Sequence, residues 1–246
     1  MRNLFILSFL IFIACKEQNN VLSVQQIIDK TIVYSGADKV SNSKINFNFR
    51  DRKYSATRQN GLFSLSRKTL NDSITTDEIL TNDGYKRIIN NLPIKVSDSM
   101  ISRYSNSINS VHYFSVLPYG LNDKAVKKKL LKPVKIKGKE YYKVEISFSE
   151  EGGGEDFEDV FIYWIGKEDF LVDYLAYSYH TNGGGKRFRV LKEQCVKAGI
   201  RFVDYHNYKP LQKEITLNNI DVAFEKNQLK KVSEIVLKDI EVEVFN

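Results

Sequence analysis

Apolar residues recur at helical spacing near the start of the chain and then change to strict alternation with polar ones. The residues that share the helical face are Val24, Ile27, Ile28, Thr31 and Ile32. Gly36 follows them as a helix stop. The stretch KINFNFR at 44–50 alternates apolar and polar side chains, which is typical of a half-buried strand, and Asn60-Gly61 is a strong hairpin signal. The pattern predicts one helix followed by antiparallel strands.

A second helical pattern interrupts the predicted strands. The residues on its face are Met100, Tyr104, Ile108, Val111 and Ser115. Ser97 and Ser99 precede this face as capping candidates. Asn122 or Asp123 is expected to cap another short helix that runs through Leu131. Strand patterns then return, so the helical segment is an interruption within a strand-rich chain.

The order of elements indicates the fold class. Helix, many strands, helices and strands again do not fit alternating β–α units, which excludes a doubly wound sheet or a β/α barrel. We predict an α+β fold, mostly antiparallel β, in which a large curved sheet forms a half-open barrel around two or three helices. The chain has four prolines and no Ser- or Pro-rich linker, so residues 22–246 are expected to form a single domain.

The first residues have the pattern of an export signal. Residues 4–14 carry no charge but are too few to span a bilayer, which favours a signal peptide over a membrane helix. Ala14 stands before Cys15, and this arrangement resembles the bacterial lipoprotein signal. The resemblance implies removal of residues 1–14, an acylated Cys15, a tether at 15–21, and a cell-envelope location at the outer membrane on either face. The alternative is a plain secretory leader with an incidental cysteine.

Composition narrows the choice of partners. A hydrophobic fraction of 42% indicates a folded chain, and a net charge of +7 favours contact with anionic head groups or glycans. No nucleic-acid recognition motif accompanies that charge, so no nucleic acid is predicted as a partner. With Cys15 acylated, Cys195 has no disulfide partner and is interpreted as a small buried hydrophobe. The sequence lacks CxxC, HExxH and GxSxG motifs, and no metal or cofactor is predicted.

Two glycine triplets, at 152–154 and 183–185, each join predicted strands. In a meander both turns lie at the same end of the sheet, which places an acidic turn beside a basic one. The triplets are explained by hairpin turns that need positive φ, braced by rim salt bridges. The alternatives are a polar mouth to a cavity and a calcium site among the carboxylates.

Folding the hairpin about Gly183 groups aromatic and basic side chains on one face. Tyr177 and Tyr179 then lie beside Arg187 and Arg189. This set is interpreted either as a solvent face braced by cation–π contacts or as a wall that binds a ligand. Tyr113, on the long helix, is the fifth candidate for ligand binding.

Catalytic residues are harder to assign. His112, Asp173 and Asp204 are the candidates for an acid or base, but no carboxylate can be paired with the histidine from sequence. A lone histidine on a helix is more often hydrogen-bonded within the fold than catalytic. The sequence therefore defines no catalytic set.

Several stretches carry a family resemblance that covers most of residues 22–210. They are INFNFRDRKYSATRQNG, NSINSVHYFSVLPYGLND, EEGGGEDFEDVFIYWI, VDYLAYSYHTNGGGKRFR and GIRFVDYHNY. The chain resembles a domain-of-unknown-function family of bacterial envelope lipoproteins. That family is similar in architecture to outer-membrane lipoprotein carrier and receptor proteins, whose half-open barrel binds acyl chains. The resemblance implies a concave sheet that holds a hydrophobic ligand.

Three functions remain open at this point. The first is a non-enzymatic envelope module that binds an acyl chain, lipid or other hydrophobic ligand. The second is an enzyme that acts on an envelope glycan or lipid through His112, Asp173 or Asp204. The third is a structural surface lipoprotein whose own side chains fill the cavity and whose glycine-rich rim binds a protein partner. The content of the cavity and the grouping of the candidate residues distinguish them.

Overall fold

The computed structural model describes residues 21–151, 157–180 and 183–245. Its α-helices are α1 (Val24–Tyr34), α2 (Asp98–Ser115) and α3 (Ile220–Glu225). The first strands are β1 (Ser43–Phe49), β2 (Arg52–Gln59), β3 (Leu62–Asn71), β4 (Ile74–Thr81), β5 (Gly84–Ile89) and β6 (Leu92–Ile94). The later strands are β7 (Val126–Leu130), β8 (Val134–Ile136), β9 (Lys139–Phe148), β10 (Val160–Gly166), β11 (Val172–Tyr179), β12 (Gly185–Lys197), β13 (Ile200–Pro210), β14 (Leu229–Ile235) and β15 (Leu237–Val244).

The predicted first helix is confirmed as α1. Ser23 caps it, because its hydroxyl accepts a hydrogen bond from the Gln26 N–H while the Gln26 side chain accepts one from the Ser23 N–H. The predicted face is the buried one, since Ile27, Ile28 and Thr31 have no exposed surface. Local sequence and tertiary burial agree here.

The first sheet contains seven strands in the order β15-β1-β2-β3-β4-β5-β6 and is antiparallel throughout. The hairpin predicted at Asn60-Gly61 is confirmed, with both residues at positive φ between β2 and β3. Beyond this meander, β15 covers the other edge of β1. Asn48 and Asp239, joined by a 2.6 Å hydrogen bond across that pair, are 191 positions apart in sequence.

The second sheet runs in the order β14-β13-β12-β11-β10-β9-β7, with β8 also paired to β9. The helix expected through Leu131 is wrong, because β7 occupies Val126–Leu130 and pairs with β9. Val126 packs against the core while Lys127 and Lys129 point outward, so the segment alternates as a strand. Lysines on such an edge also discourage further strand pairing.

The mostly antiparallel, curved and unclosed fold is confirmed, but it is built from two sheets instead of one. The sheets meet where β14 passes directly into β15. At this junction the Leu237 N–H donates a 2.9 Å hydrogen bond to Asp204 Oδ1. Phe47 of β1 and Phe202 of β13 belong to one buried cluster, so the two sheets share a core.

The helices occupy different faces of this frame. Ile108 of α2 packs against the first sheet, while Tyr113 and Phe114 of the same helix pack against the second. Ile27 of α1 packs in the same cluster as Tyr113 and Phe114, on the inner face of the second sheet. Helix α3 packs on the opposite face of that sheet through Ile220. Helix α2 therefore lies between the two sheets. In the part of the chain described, no helix combines the length and hydropathy that a bilayer crossing requires.

Candidate ligand-binding cavity

A cavity of about 570 Å³ lies between the C-terminal part of α2, the inner face of the second sheet and the junction of β14 with β15. Helix α2 contributes Tyr113 and Phe114 to its wall. Phe161 of β10 forms part of the floor, and Ile235 and Leu237 line the side at the junction. Its volume falls within the roughly 300–1,000 Å³ typical of small-molecule sites.

The five residues predicted for ligand binding all line this cavity. They are Tyr113, Tyr177, Tyr179, Arg187 and Arg189. The strand register explains the grouping on the sheet, because Tyr177 pairs with Arg187 and Tyr179 pairs with Gly185 across β11 and β12. The two-residue period of a strand then brings Arg189 to the same face.

Aromatic rings and one guanidinium group form the centre of the wall. The Phe114 ring lies 5.3 Å from the Tyr177 ring and 6.0 Å from the Phe161 ring, measured between centroids. The Arg189 guanidinium carbon lies 3.8 Å from the Phe114 ring centroid, and Arg189 Nη2 donates a 3.2 Å hydrogen bond to the Tyr177 hydroxyl. The cation–π contact fixes the position of the positive charge beside an apolar surface.

Tyr113 contributes a neutral polar group. Its hydroxyl lies 3.4 Å from the hydroxyl of Tyr163, deep in the core. Burial raises the pKa of Tyr113 to about 12, so the phenol keeps its proton at neutral pH. Tyr113 therefore adds an uncharged side chain to the wall, with its hydroxyl beside that of Tyr163.

Sequence reasoning missed part of the wall, including Phe114, Phe161 and Asn207. It also missed Ser233, Ile235 and Leu237, although their spacing of two along β14 and β15 is the signal of a shared strand face. What the sequence does not show is that this face lies opposite α2.

His112 does not line this cavity. It is 1% exposed and makes T-shaped contacts with the rings of Phe47 and Tyr54, and its Nε2–H donates a 3.0 Å hydrogen bond to the Ser66 carbonyl. Burial is the main cause that lowers its pKa to about 4, and the nearby Arg58 and Arg67 act in the same direction. His112 is therefore a neutral, hydrogen-bonded core residue.

The two aspartate candidates lie at other places. Asp173 lines a smaller cavity of about 270 Å³, where its Oδ2 accepts hydrogen bonds from Lys139 Nζ at 2.7 Å and from the Tyr141 hydroxyl at 2.9 Å. Asp204 lies at the sheet junction, where it accepts the hydrogen bond from Leu237, and desolvation raises its pKa. Within residues 21–151, 157–180 and 183–245, none of the three acid–base candidates shares a cavity with another.

The interpretation of Cys195 as a small buried hydrophobe is wrong. It lies near the end of β12 and is exposed. The strand register explains this exposure. The pairing of β11 with β12 ends at Val190, and beyond that residue the described part of the chain pairs β12 with β13 alone. The end of the long strand extends past the body of the sheet.

The start of β10 and the end of β11 lie at one end of the sheet, since Val160 pairs with Ser178 and His180 Nδ1 lies 3.6 Å from Asp159 Oδ1. Gly183 and Gly184 have positive φ, as the turn interpretation requires. The triplet at 152–154 and Cys15 lie outside the described residues. In the described part, no group of three or more His, Cys, Asp or Glu side chains is arranged to hold a metal ion.

Two unclosed antiparallel sheets with a helix between them and a cavity beside that helix define a fold of the half-open-barrel class. A family model described as "family of unknown function (DUF6503)" matches residues 2–236. The chain belongs to this family. No curated protein matches it.

Two solved structures are similar to this chain. A LolA superfamily protein from Nitrosomonas europaea has a TM-score of 0.50 and 12% identity, over 92% of this chain and 96% of that one. A DUF1329 family protein from Desulfovibrio piger has a TM-score of 0.44 and 12% identity, over 90% of this chain and 93% of that one. The first likeness confirms, at the level of fold alone, the suspected similarity to the lipoprotein carrier architecture.

Proposed function

We propose that this protein is an envelope lipoprotein and a non-enzymatic module that holds an acyl chain or another hydrophobic ligand in the cavity beside α2. The observation that carries the proposal is the cavity itself: about 570 Å³, lined by aromatic and aliphatic side chains together with Arg, Asn and Ser side chains. A concave apolar site with a few polar groups is the usual form of a small-molecule site.

The charged residues of the fold support binding over catalysis. An acid–base enzyme needs at least two groups that converge on one substrate. His112, Asp173 and Asp204 are instead engaged in separate hydrogen bonds with Ser66, with Lys139 and Tyr141, and with Leu237. The structural-lipoprotein alternative requires the protein's own side chains to fill the inner face, and the cavity leaves room for a ligand.

A bulky residue in the wall tests whether the cavity binds lipid. We expect Ile235→Trp, on the face of β14 that lines the cavity, to reduce the lipid that co-purifies with the protein by about tenfold or more, because the indole occupies the space of a chain. Val232→Trp is the matched control, since Val232 is on the same strand and 41% exposed, outside the cavity. Organic extraction of the natively isolated protein followed by mass spectrometry measures the lipid.

Two results would contradict the binding proposal. One is the absence of any lipid in extracts of the unmodified protein across independent preparations. The other is equal lipid content in Ile235→Trp and Val232→Trp when circular dichroism shows both to be folded.

The anchor has a separate test. We propose that Cys15 is acylated after removal of residues 1–14, that 15–21 tether residues 22–246, and that the protein lies in the outer membrane. We expect Cys15→Ser to move most of the protein from the membrane fraction to the soluble fraction. Stable anchoring needs more than one acyl chain, and without the cysteine none is attached. Cys195→Ser is the matched control, because Cys195 is exposed in the folded part. Continued sedimentation of Cys15→Ser with membranes would refute the anchor.

A further inference from the structure

Arg189 is a buried cation on the wall of the cavity. Its residue is 7% exposed, and its Nε is enclosed without a hydrogen-bond partner among the described residues. No carboxylate of residues 21–151, 157–180 and 183–245 forms an ion pair with it. A buried charge without an opposite charge is unfavourable, so an anion at this place would stabilise the protein.

The neighbours of Arg189 hold the guanidinium without neutralising it. Phe114 and Tyr177 contact it through their rings, at 3.8 and 5.2 Å from ring centroid to guanidinium carbon, and the Tyr177 hydroxyl accepts one hydrogen bond. These partners are uncharged. They fix the orientation of the guanidinium and leave its positive charge uncompensated.

A second unsatisfied group lies directly across the strand. Asn207 is the register partner of Arg189, and both line the cavity. One end of the Asn207 amide is 3.1 Å from Ser233 Oγ, and the other end is buried without a partner among the described residues. Because the serine hydroxyl can donate or accept, the amide can present either its oxygen or its NH₂ group at the unpartnered end. Arg189 and Asn207 together form a polar pair beside the aromatic rings of Phe114 and Tyr177.

The other charged residues of the described cavity lining leave its net charge positive. Arg50 and Arg187 also line it, and Asp159 is the single carboxylate among its described lining residues. Asp159 Oδ1 lies 3.6 Å from His180 Nδ1 at the rim. Among the described lining residues, three guanidinium groups accompany one carboxylate, and this excess of positive charge favours a negative ligand.

We infer that the ligand is a single-chain amphiphile with an anionic head group, a carboxylate or a phosphate, and that Arg189 binds this group. This inference rests on the proposed function and adds the charge of the ligand. The guanidinium fork matches the geometry of both oxyanions. The apolar chain lies along Phe161, Phe148 and Ile235, and the volume of about 570 Å³ suits one chain of drug-like size.

The test compares ligands that differ only in the head group. Purified full-length protein, stripped of lipid, is titrated with palmitate, hexadecyl phosphate and hexadecanol, each displacing a bound fluorescent probe of the same chain length. We expect the tighter of the two anions to bind about 10- to 100-fold more tightly than the alcohol, the gain of a charge-assisted hydrogen-bonded pair. The anion that binds more tightly identifies the head group as a carboxylate or a phosphate.

Variants assign the preference to Arg189. We expect R189Q to bind the anions and the alcohol about equally. R189K keeps the charge without the fork and is expected to retain part of the preference. Arg103→Gln is the matched control, because Arg103 is exposed on α2 outside the cavity and its loss is expected to change nothing.

The outcomes separate this inference from the proposed function. Equal affinity of the unmodified protein for anions and alcohol would overturn the anionic ligand and leave hydrophobic binding in place. Failure of all three compounds to displace the probe would overturn the proposed function. If R189Q does not fold, R189K supplies the test. An anion preference in R189K equal to that of the unmodified protein would overturn the role of the guanidinium fork.

Discussion

Replacing Lys143 by methionine is expected to lower the free energy of unfolding by about 3–5 kcal/mol, as measured by urea denaturation. Lys143 Nζ donates hydrogen bonds to the Asn218 carbonyl at 2.6 Å and to Asp221 Oδ1 and Oδ2 at 3.1 and 3.2 Å. Both side chains of the ion pair are about 5% exposed, at 6% and 4%. Without the ammonium group, the Asp221 carboxylate stays buried with the Trp164 Nε1–H at 3.3 Å as its remaining side-chain donor in the described structure.

The matched control is Lys129→Met. Its Nζ lies 3.8 Å from Glu145 Oε1 but the lysine side chain is 70% exposed, so the loss is expected to be about 0–1 kcal/mol. The double variant Lys143→Met with Asp221→Asn is expected to lose less than the sum of its single variants, because no uncompensated charge remains. A Lys143→Met variant within 1 kcal/mol of the unmodified protein would show that the pair is not desolvated as the structure indicates.

Acidification is expected to destabilise the protein through His112. Its pKa is about 4 in the folded protein and 6.5 when unfolded, so the unfolded chain binds more protons between these values. The free energy of unfolding therefore falls as the pH decreases from about 6.5 to 4, by about 3 kcal/mol from this residue. Above pH 6.5 both states are neutral at His112 and the contribution is constant.

Urea denaturation at a series of pH values, on the unmodified protein and on His112→Gln, isolates this contribution. Carboxylates titrate in the same range in both proteins, and the difference between the two curves belongs to His112. We expect that difference to change by about 3 kcal/mol between pH 6.5 and 4. A difference that stays constant with pH would mean that His112 is protonated in the folded state.

The sequence grouped the part of the wall formed by β11 and β12 because two short-range rules determine it. Alternation along a strand places Tyr177 and Tyr179 on one face, and the turn about Gly183 brings Arg187 and Arg189 to that same face. Both rules operate over a few residues, so they can be read without knowing the rest of the fold. The helix that carries Tyr113 was likewise evident from its own periodicity.

The errors come from contacts that are distant in sequence. Val126–Leu130 is a strand because β9 supplies its hydrogen-bonding partner, which local pattern cannot reveal. The exposure of Cys195 depends on where β11 ends beside β12, and the Lys143–Asp221 pair joins residues 78 positions apart. Propensity gave no reason to connect these segments.

The pairing of β1 with β15 also bears on how the chain matures. A strand made early keeps an open edge until a segment 191 positions later reaches it, and closing so long a loop is slow. During synthesis the first sheet therefore remains incomplete long after its hairpins have emerged. Such delayed closure leaves an unpaired strand edge, which can pair with other chains until β15 arrives.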